Sequence, residues 1–288
     1  MYAGDIAQGR THSDQAIALY DASEDRPLAT RFGVDNRVSA LSYRAQAVWI
    51  LGYPGLARSD VDSAITDARE IDQSPSLLYA LVNVSLPLLF TGDYATATKL
   101  LAEVAELADA MGSLFWKTYG MLNLACLLAL TGNAAEAVAT FIAGLAAWRS
   151  LGATLNEPLY LGCLAKAHAE LDQSDDAWRC VGEAMTVINS TEQRMWEAEV
   201  NRLAGEVALR SREPDKAGQY FERALEVARR QKAKSCELRA AMSMARLLRD
   251  QGKPQRAHEL LAPVYGWFTE GFDTLDLKEA KALLDELA

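Results

Sequence analysis

This sequence predicts an all-α solenoid of about six 40-residue helix pairs, with a lone helix before them and a capping helix after them. Three observations predict it. Alanine recurs at one period, at Ala57, Ala97, Ala137, Ala177, Ala217 and Ala257. Around each anchor the residue sizes repeat. Twelve positions earlier stand the small residues Ala45, Ser85, Ala125, Ala165, Gly205 and Ala245, and four positions later the large apolar Val61, Leu101, Phe141, Val181, Phe221 and Leu261. The composition is also that of a helical chain with ample core: 50% hydrophobic, with 18 Gly and 8 Pro in 288 residues, mostly between the periodic stretches.

Each element of that reading has a physical reason. Small residues let two helices approach, and the large residue one turn later fills the space beside them. Five positions before the anchors stand Gly52, Gly92, Gly132, Asp172, Arg212 and Gly252, where the chain turns from the first helix of a pair into the second. One pair cannot bury its apolar stripe alone, so pairs must stack. The expected map is half a repeat and a loop over 13–33, six helix pairs over 34–271, and a cap over 272–288. The half repeat holds a helix at Ser13–Asp21, a polar loop follows at Ser23–Gly33, and the cap is a helix at Asp276–Glu286. Breaks between pairs are expected near Asp72–Ser76, Gly112–Ser113, Gly152–Pro158, Asn189–Thr191 and Arg230–Ser235.

Charge limits the partners. The net charge is -10, which disfavours direct contact with a phosphate backbone. It is unevenly spread: residues 1–209 carry a balance of -12, residues 210–260 one of +6 and the remainder -4. The basic stretch suits an acidic partner. Cys126, Cys163, Cys180 and Cys236 form no CxxC pair and lie in helical patterns, as small apolar fillers in a reduced, cytoplasmic setting do. No signal peptide is visible. The longest apolar run, Leu77–Phe90, is short for a membrane span and is interrupted by Asn83, Ser85 and Pro87.

No constellation for catalysis, metal or cofactor stands out. His12, His168 and His258 are far apart, and no HExxH, GxSxG or GxGxxG occurs. His168 sits where other pairs carry Val48, Leu88, Leu128, Ala208 and Leu248, which reads as a packed, hydrogen-bonded histidine. Trp116, Trp148, Trp178, Trp196 and Trp267 read as packing between helices, with a ligand-stacking wall as the functional alternative.

Within each unit the small, glycine, alanine and large apolar positions resemble the tetratricopeptide signature on a lengthened unit, over residues 36 to 270. HEAT-type repeats share the period and are the structural alternative. The resemblance implies a right-handed α-α superhelix. A narrower resemblance lies in WILGYPGLA (Trp49–Ala57), WRSLGATLNEPLYL (Trp148–Leu161) and the stretch Arg230–Leu287, above all YGWFTEGFDTLDLKEAKALL (Tyr265–Leu284). These are similar to the C-terminal part of large bacterial signalling proteins. Such proteins join a class III adenylate/guanylate cyclase or a DNA-binding domain to an AAA-type ATPase and then to repeats of this kind. The chain departs from them in having no Walker A sequence, since Gly252-Lys253 is followed by Pro254, and no upstream domain. It is therefore expected to be a piece of a longer protein or a domain relic.

The resemblance implies a non-catalytic module that binds with the inner face of the first helix of each pair. The groove positions carried over are Gln46, Trp49, Tyr79, Leu86, Leu89, Tyr119 and Leu122 in the early pairs, and Lys166, Glu199, Arg202, Glu206, Arg239, Arg246 and Arg249 in the later ones. The binding residues expected are Trp49, Tyr79, Tyr119, Lys166, Arg202, Arg239, Arg246 and Arg249. An apolar-aromatic wall would pass into a charged one, and arginine forks suit carboxylates or phosphates, such as acidic peptide side chains or a chain terminus. Two structural readings stay open: close packing of the aromatics in a tightly wound superhelix, and pairing of Glu199, Arg202 and Glu206 along one helix. The expected partner is a protein or peptide, or upstream domains of a parent chain, with no nucleic acid and no membrane. A small-molecule ligand held in the groove is the alternative. The unpaired first helix would leave an apolar end able to join a second copy.

Overall fold

The computed structural model describes all residues, Met1–Ala288. The chain is all-helical. After α1 (Ile6–Leu19) come two short helices, α2 (Ala22–Asp25) and α3 (Ala29–Phe32), flanking a 3-10 turn at Arg26–Leu28. Six pairs follow: α4 (Asn36–Ile50) with α5 (Pro54–Ile71), α6 (Ser74–Thr91) with α7 (Tyr94–Ala110), α8 (Leu114–Leu130) with α9 (Ala134–Ser150), α10 (Glu157–Glu170) with α11 (Ser174–Thr191), α12 (Glu197–Arg210) with α13 (Pro214–Gln231), and α14 (Lys234–Asp250) with α15 (Pro254–Tyr265). The cap is α16 (Leu275–Leu287).

The 40-residue spacing is the packing contact of each pair. All six anchor alanines are buried, and the positions twelve residues earlier are buried with them. Space there is scarce. A Cβ on Gly205 would lie 2.3 Å from the Phe221 ring, and Phe221 is the large residue of the same unit. Similarly, a Cβ on Gly144 would lie 2.8 Å from Leu122.

The turn inside each pair takes a left-handed residue. Gly92 and Gly132 have φ of +85° and +82°, while Asp172 and Arg212 adopt +58° and +60° in the same place. The conformation recurs in every pair, so glycine is favoured there but not obligatory.

Three boundaries differ from the sequence expectation. The first helix starts at Ile6 rather than Ser13, because Asp5 caps it by accepting a hydrogen bond from the Gln8 amide at 2.9 Å. The stretch expected as a polar loop coils into α2 and α3, with Asp21 capping the one and Gly33, at φ +83°, ending the other. Helix α11 runs through the expected break at Asn189–Thr191 and stops only at Glu192, which takes φ +56°. The outward face of α1 is largely polar, with Gln8, Thr11, His12 and Gln15 exposed and Leu19 its one exposed large apolar residue.

Helix α6 is the one helix long and apolar enough to cross a membrane, at a mean hydropathy of 1.4, but 72% of that window is buried inside the protein. It continues through Pro87. Proline has no N–H, so the carbonyl of Asn83, four residues back, loses its helical partner. The Gln46 side chain of α4 donates to that carbonyl at 2.9 Å.

The first helices of the pairs (α4, α6, α8, α10, α12, α14) are buried on most faces, whereas the second helices bury one stripe, such as Ala97, Leu100, Leu101, Val104 and Ala108 of α7. The superhelix closes after one turn. Helix α14 reaches α4, and α16 reaches α6. Inner helices of the last pair and the cap thus pack against those of the first two pairs.

Candidate functional site

The inner face of the ring is built in three parts. The first is aromatic. Trp49 stacks on Phe90 with ring centres 4.8 Å apart, and Trp196, from the opposite side of the ring, tilts onto Phe90 at 5.3 Å. Beside them a row of rings runs along the first three pairs: Tyr43 meets Tyr79 edge-on at 5.8 Å, and Tyr79 meets Trp116 at 5.9 Å.

The second part is a polar thread crossing from helix to helix. Tyr119 donates from its hydroxyl to Asn83 Oδ1 at 3.2 Å, Asn156 Nδ2 donates to the Tyr119 hydroxyl at 3.2 Å, and Trp196 Nε1 donates to Asn156 Oδ1 at 2.9 Å. Starting from Gln46, the thread links α4, α6, α8 and the entrances to α10 and α12. A parallel strand of bonds joins Tyr160 to Asn123 Oδ1 at 2.8 Å and Asn123 Nδ2 to Ser85 at 2.9 Å. Buried amides and phenols must be paired, so each bond fixes the spacing of two neighbouring pairs.

The third part is charged. Glu199, only 2% exposed, accepts two bonds from Arg202, at 2.9 and 2.7 Å, and two from Arg239, at 3.2 and 3.1 Å. Arg239 turns its remaining nitrogen to Asp276 of the cap at 2.9 Å and lies over the Phe90 ring at 5.2 Å. Arg202 also pairs with Glu206. Burial acts to raise the Glu199 carboxyl, but the two guanidiniums outweigh it and hold it down at about 2. Burial of the Tyr119 phenol pushes it well above its ordinary range.

These parts meet at a seam where the two ends of the superhelix touch. Glu270 Oε1 accepts from the Gly55 and Leu56 amides, at 3.0 and 3.1 Å, and so caps the start of α5. Ser235 donates to the Trp49 carbonyl at 2.5 Å. Trp267 meets Tyr53 edge-on at 5.6 Å. Two turn glycines lie under the seam: a Cβ on Gly52 would be 2.5 Å from Trp267, and one on Gly92 would be 2.6 Å from Leu275. At Gly132 and Gly252, the same turn elsewhere in the ring, nothing lies within 4 Å.

The structure places the sequence-expected binding residues in two groups. Trp49, Tyr119 and Arg202 are buried, and the Arg239 side chain is 12% exposed; all four have partners within the chain. Tyr79 is half-buried in the aromatic row. Lys166, Arg246 and Arg249 lie on the rim: Lys166 pairs with Glu170 and donates to the Ala129 carbonyl at 3.3 Å, while Arg246 and Arg249 meet Glu279 and Glu286 of the cap at 2.8 Å. The expected pairing of Glu199, Arg202 and Glu206 along one helix is present, and so is the close packing of aromatics. The open charged-and-aromatic wall is not: in the closed ring its space is filled by Trp196, Phe90 and Asp276.

Sequence reasoning missed Asn83, Asn123, Asn156, Glu270 and Asp276, and it read Trp267 only as packing between helices, without its place at the seam. Asn83 and Asn123 stand one period apart, and Pro87 inside an otherwise helical pattern marks the freed carbonyl. The seam residues have no such signal. His168 is buried and donates from Nδ1 to Gln173 Oε1 at 2.6 Å, a structural bond. The four thiols are buried and unbridged, and no group of His, Cys, Asp and Glu converges as a metal site would. A cavity of about 680 Å³ lies outside the ring, between α13 and α15, over Leu225, Leu247 and Leu260.

Comparison with known proteins adds three findings. A tetratricopeptide-repeat profile matches residues 196–262, so the chain contains a tetratricopeptide-repeat region. An uncharacterized protein of Rhizobium meliloti (strain 1021) is 26% identical over 262 residues. The match takes in 86% of this chain, which spans about a quarter (25%) of that protein's length. Among solved structures, the apo form of RapI superposes with a TM-score of 0.62 at 12% identity, covering 98% of this chain and 92% of RapI. A Rap protein complexed with competence and sporulation factor superposes at 0.61 with 11% identity, covering 99% and 80% of the two chains. These likenesses establish the helical-repeat solenoid.

Proposed function

We propose that this chain is a regulatory protein-binding module, the sensory or scaffolding tail of a larger bacterial signalling ATPase, nucleotide cyclase or transcriptional regulator. The closed ring carries the reading. A closed superhelix held by one seam can exist in two states, and a partner that prefers the inner helices exposed shifts the balance toward the open one. Much of the seam is made by the segment Tyr265–Leu284, the stretch on which the resemblance to cyclase–ATPase–repeat proteins rests most heavily. The rim arginines Arg246 and Arg249 offer a first contact for an acidic partner, because their exposed pairs with Glu279 and Glu286 are weak and exchangeable. The match to a relative about four times longer and the factor-bound Rap structure of the same fold support the same direction.

The test is the size of the native protein in its own host, read by blotting with an antibody to this chain. A band far above 31.5 kDa is expected. A band at that mass would overturn the tail reading. With upstream domains then in hand, Arg246→Glu with Arg249→Glu should weaken their capture and leave the melting temperature nearly unchanged. Loss of both together would make these arginines structural.

A further inference from the structure

The inside of the ring already holds a piece of chain. The segment Met1–Gly4 ahead of α1 crosses it. The Tyr2 carbonyl accepts from the amides of Arg194 and Met195, at 2.8 and 3.0 Å, in the connection that leads into α12. The Tyr2 ring lies edge-on to Tyr43 at 6.1 Å and so continues the row of Tyr43, Tyr79 and Trp116. The segment therefore bridges the first pair and the fifth with two kinds of contact. The main-chain bonds are ones any extended peptide can make; the aromatic contact selects the side chain.

Two features mark Met1–Gly4 as an imperfect and releasable occupant. The Tyr2 hydroxyl is buried with no hydrogen-bond partner, a loss that water would cure on release. Gly4 leaves the slot at φ +92°, with a Cβ there lying 3.2 Å from that of Arg194, so the exit depends on glycine.

We infer that this slot is a recognition site for an extended peptide bearing an aromatic side chain, and that Met1–Gly4 occupies it as a displaceable stand-in. The inference rests on the reading of the inner face as a binding surface and names the class of peptide it takes. A segment held in this way lowers the apparent affinity for any competitor by the fraction of time it sits in place.

The test uses the hexapeptide Met-Tyr-Ala-Gly-Asp-Ile, labelled at its C-terminus, titrated by fluorescence anisotropy against the full chain. Tyr2→Ala should bind it roughly tenfold or more tighter than the unaltered chain, and a peptide with Ala in place of Tyr should lose roughly the same factor. Tyr2→Phe removes only the unpaired hydroxyl and should bind no better than the unaltered chain. Gly4→Val expels the segment without touching the slot. It should bind like Tyr2→Ala, which keeps the test open should Tyr2→Ala fold poorly. A folded Tyr2→Ala or Gly4→Val chain that ignores the hexapeptide would overturn the inference, as would equal binding of the Tyr and Ala peptides. A native protein of 31.5 kDa would sink the tail reading and leave this result untouched.

Discussion

Gly92 and Gly132 make a matched pair for testing the seam. Both end the first helix of a pair, with φ of +85° and +82°. Alanine at either position must adopt the left-handed conformation, at about 1–2 kcal/mol. At Gly132 that is the whole cost, since nothing lies within 4 Å of the new methyl group. At Gly92 the methyl group would also stand 2.6 Å from Leu275 Cβ and 3.3 Å from its Cδ2. Leu275 opens α16, and its Cβ cannot rotate away, so the cap must shift. Overpacking of this kind costs about 1–3 kcal/mol more. Gly92→Ala should therefore be the less stable variant by that difference in urea unfolding. Hydrogen exchange should locate the excess in α16 and in the end of α6, with the middle pairs protected alike in both variants. If the two alanines cost the same within about 0.5 kcal/mol, and α16 is equally protected, the cap does not rest on Gly92 and the closed ring is wrong.

Further predictions follow from the buried charges and the helix contacts. Arg239→Met leaves Asp276 unpaired and Glu199 with a single partner, and should cost about 3–5 kcal/mol in chemical denaturation; a loss below about 1 kcal/mol would place Arg239 in solvent. Glu199 has its carboxyl lowered to about 2 from an ordinary 4.5, so its contribution is full above 4.5 and fades as pH falls toward 2. The gap in melting temperature between the unaltered chain and Glu199→Gln should accordingly shrink across that window, and a gap that stays constant would contradict the pairing. Ala137→Leu puts a branched side chain at a fully buried helix contact and should cost about 1–3 kcal/mol or more; an unchanged melting temperature would mean that the anchors are misassigned.

The periodic part of this fold was legible in the sequence because packing inside a pair depends on residues close in the chain. Ala137 and Phe141 lie one turn apart on one helix, and their counterparts recur in every unit. Closure depends instead on where the superhelix arrives after six pairs, which is a sum of small rotations that no single residue reports. Glu270 meeting the amide of Gly55, 215 residues away, is the product of that sum. The same limit explains the binding residues. The pairing of Arg202 with Glu199 and Glu206, one of the two structural readings left open, is a local relation along one helix. That Arg239 would join them and reach Asp276 required knowing which side chains of neighbouring units face one another, since its partners lie 40 and 37 residues away. Asp172 and Arg212, at φ +58° and +60°, teach a smaller lesson: glycine at the turn looked like a conformational need, yet among the six turns inside the pairs a steric need for it lies only at Gly52 and Gly92, under the seam.

Closure itself is the claim on which the rest depends, and small-angle X-ray scattering of the full chain measures it directly. Trp267→Ala combined with Glu270→Lys removes the ring contact on Tyr53 and the cap on α5 without touching the core of any helix pair. The account predicts that this variant has a clearly larger radius of gyration than the unaltered chain, with the same helical circular dichroism. Equal radii at equal helicity would contradict it, because the contacts of Trp267 and Glu270 would then not be what holds the two ends together.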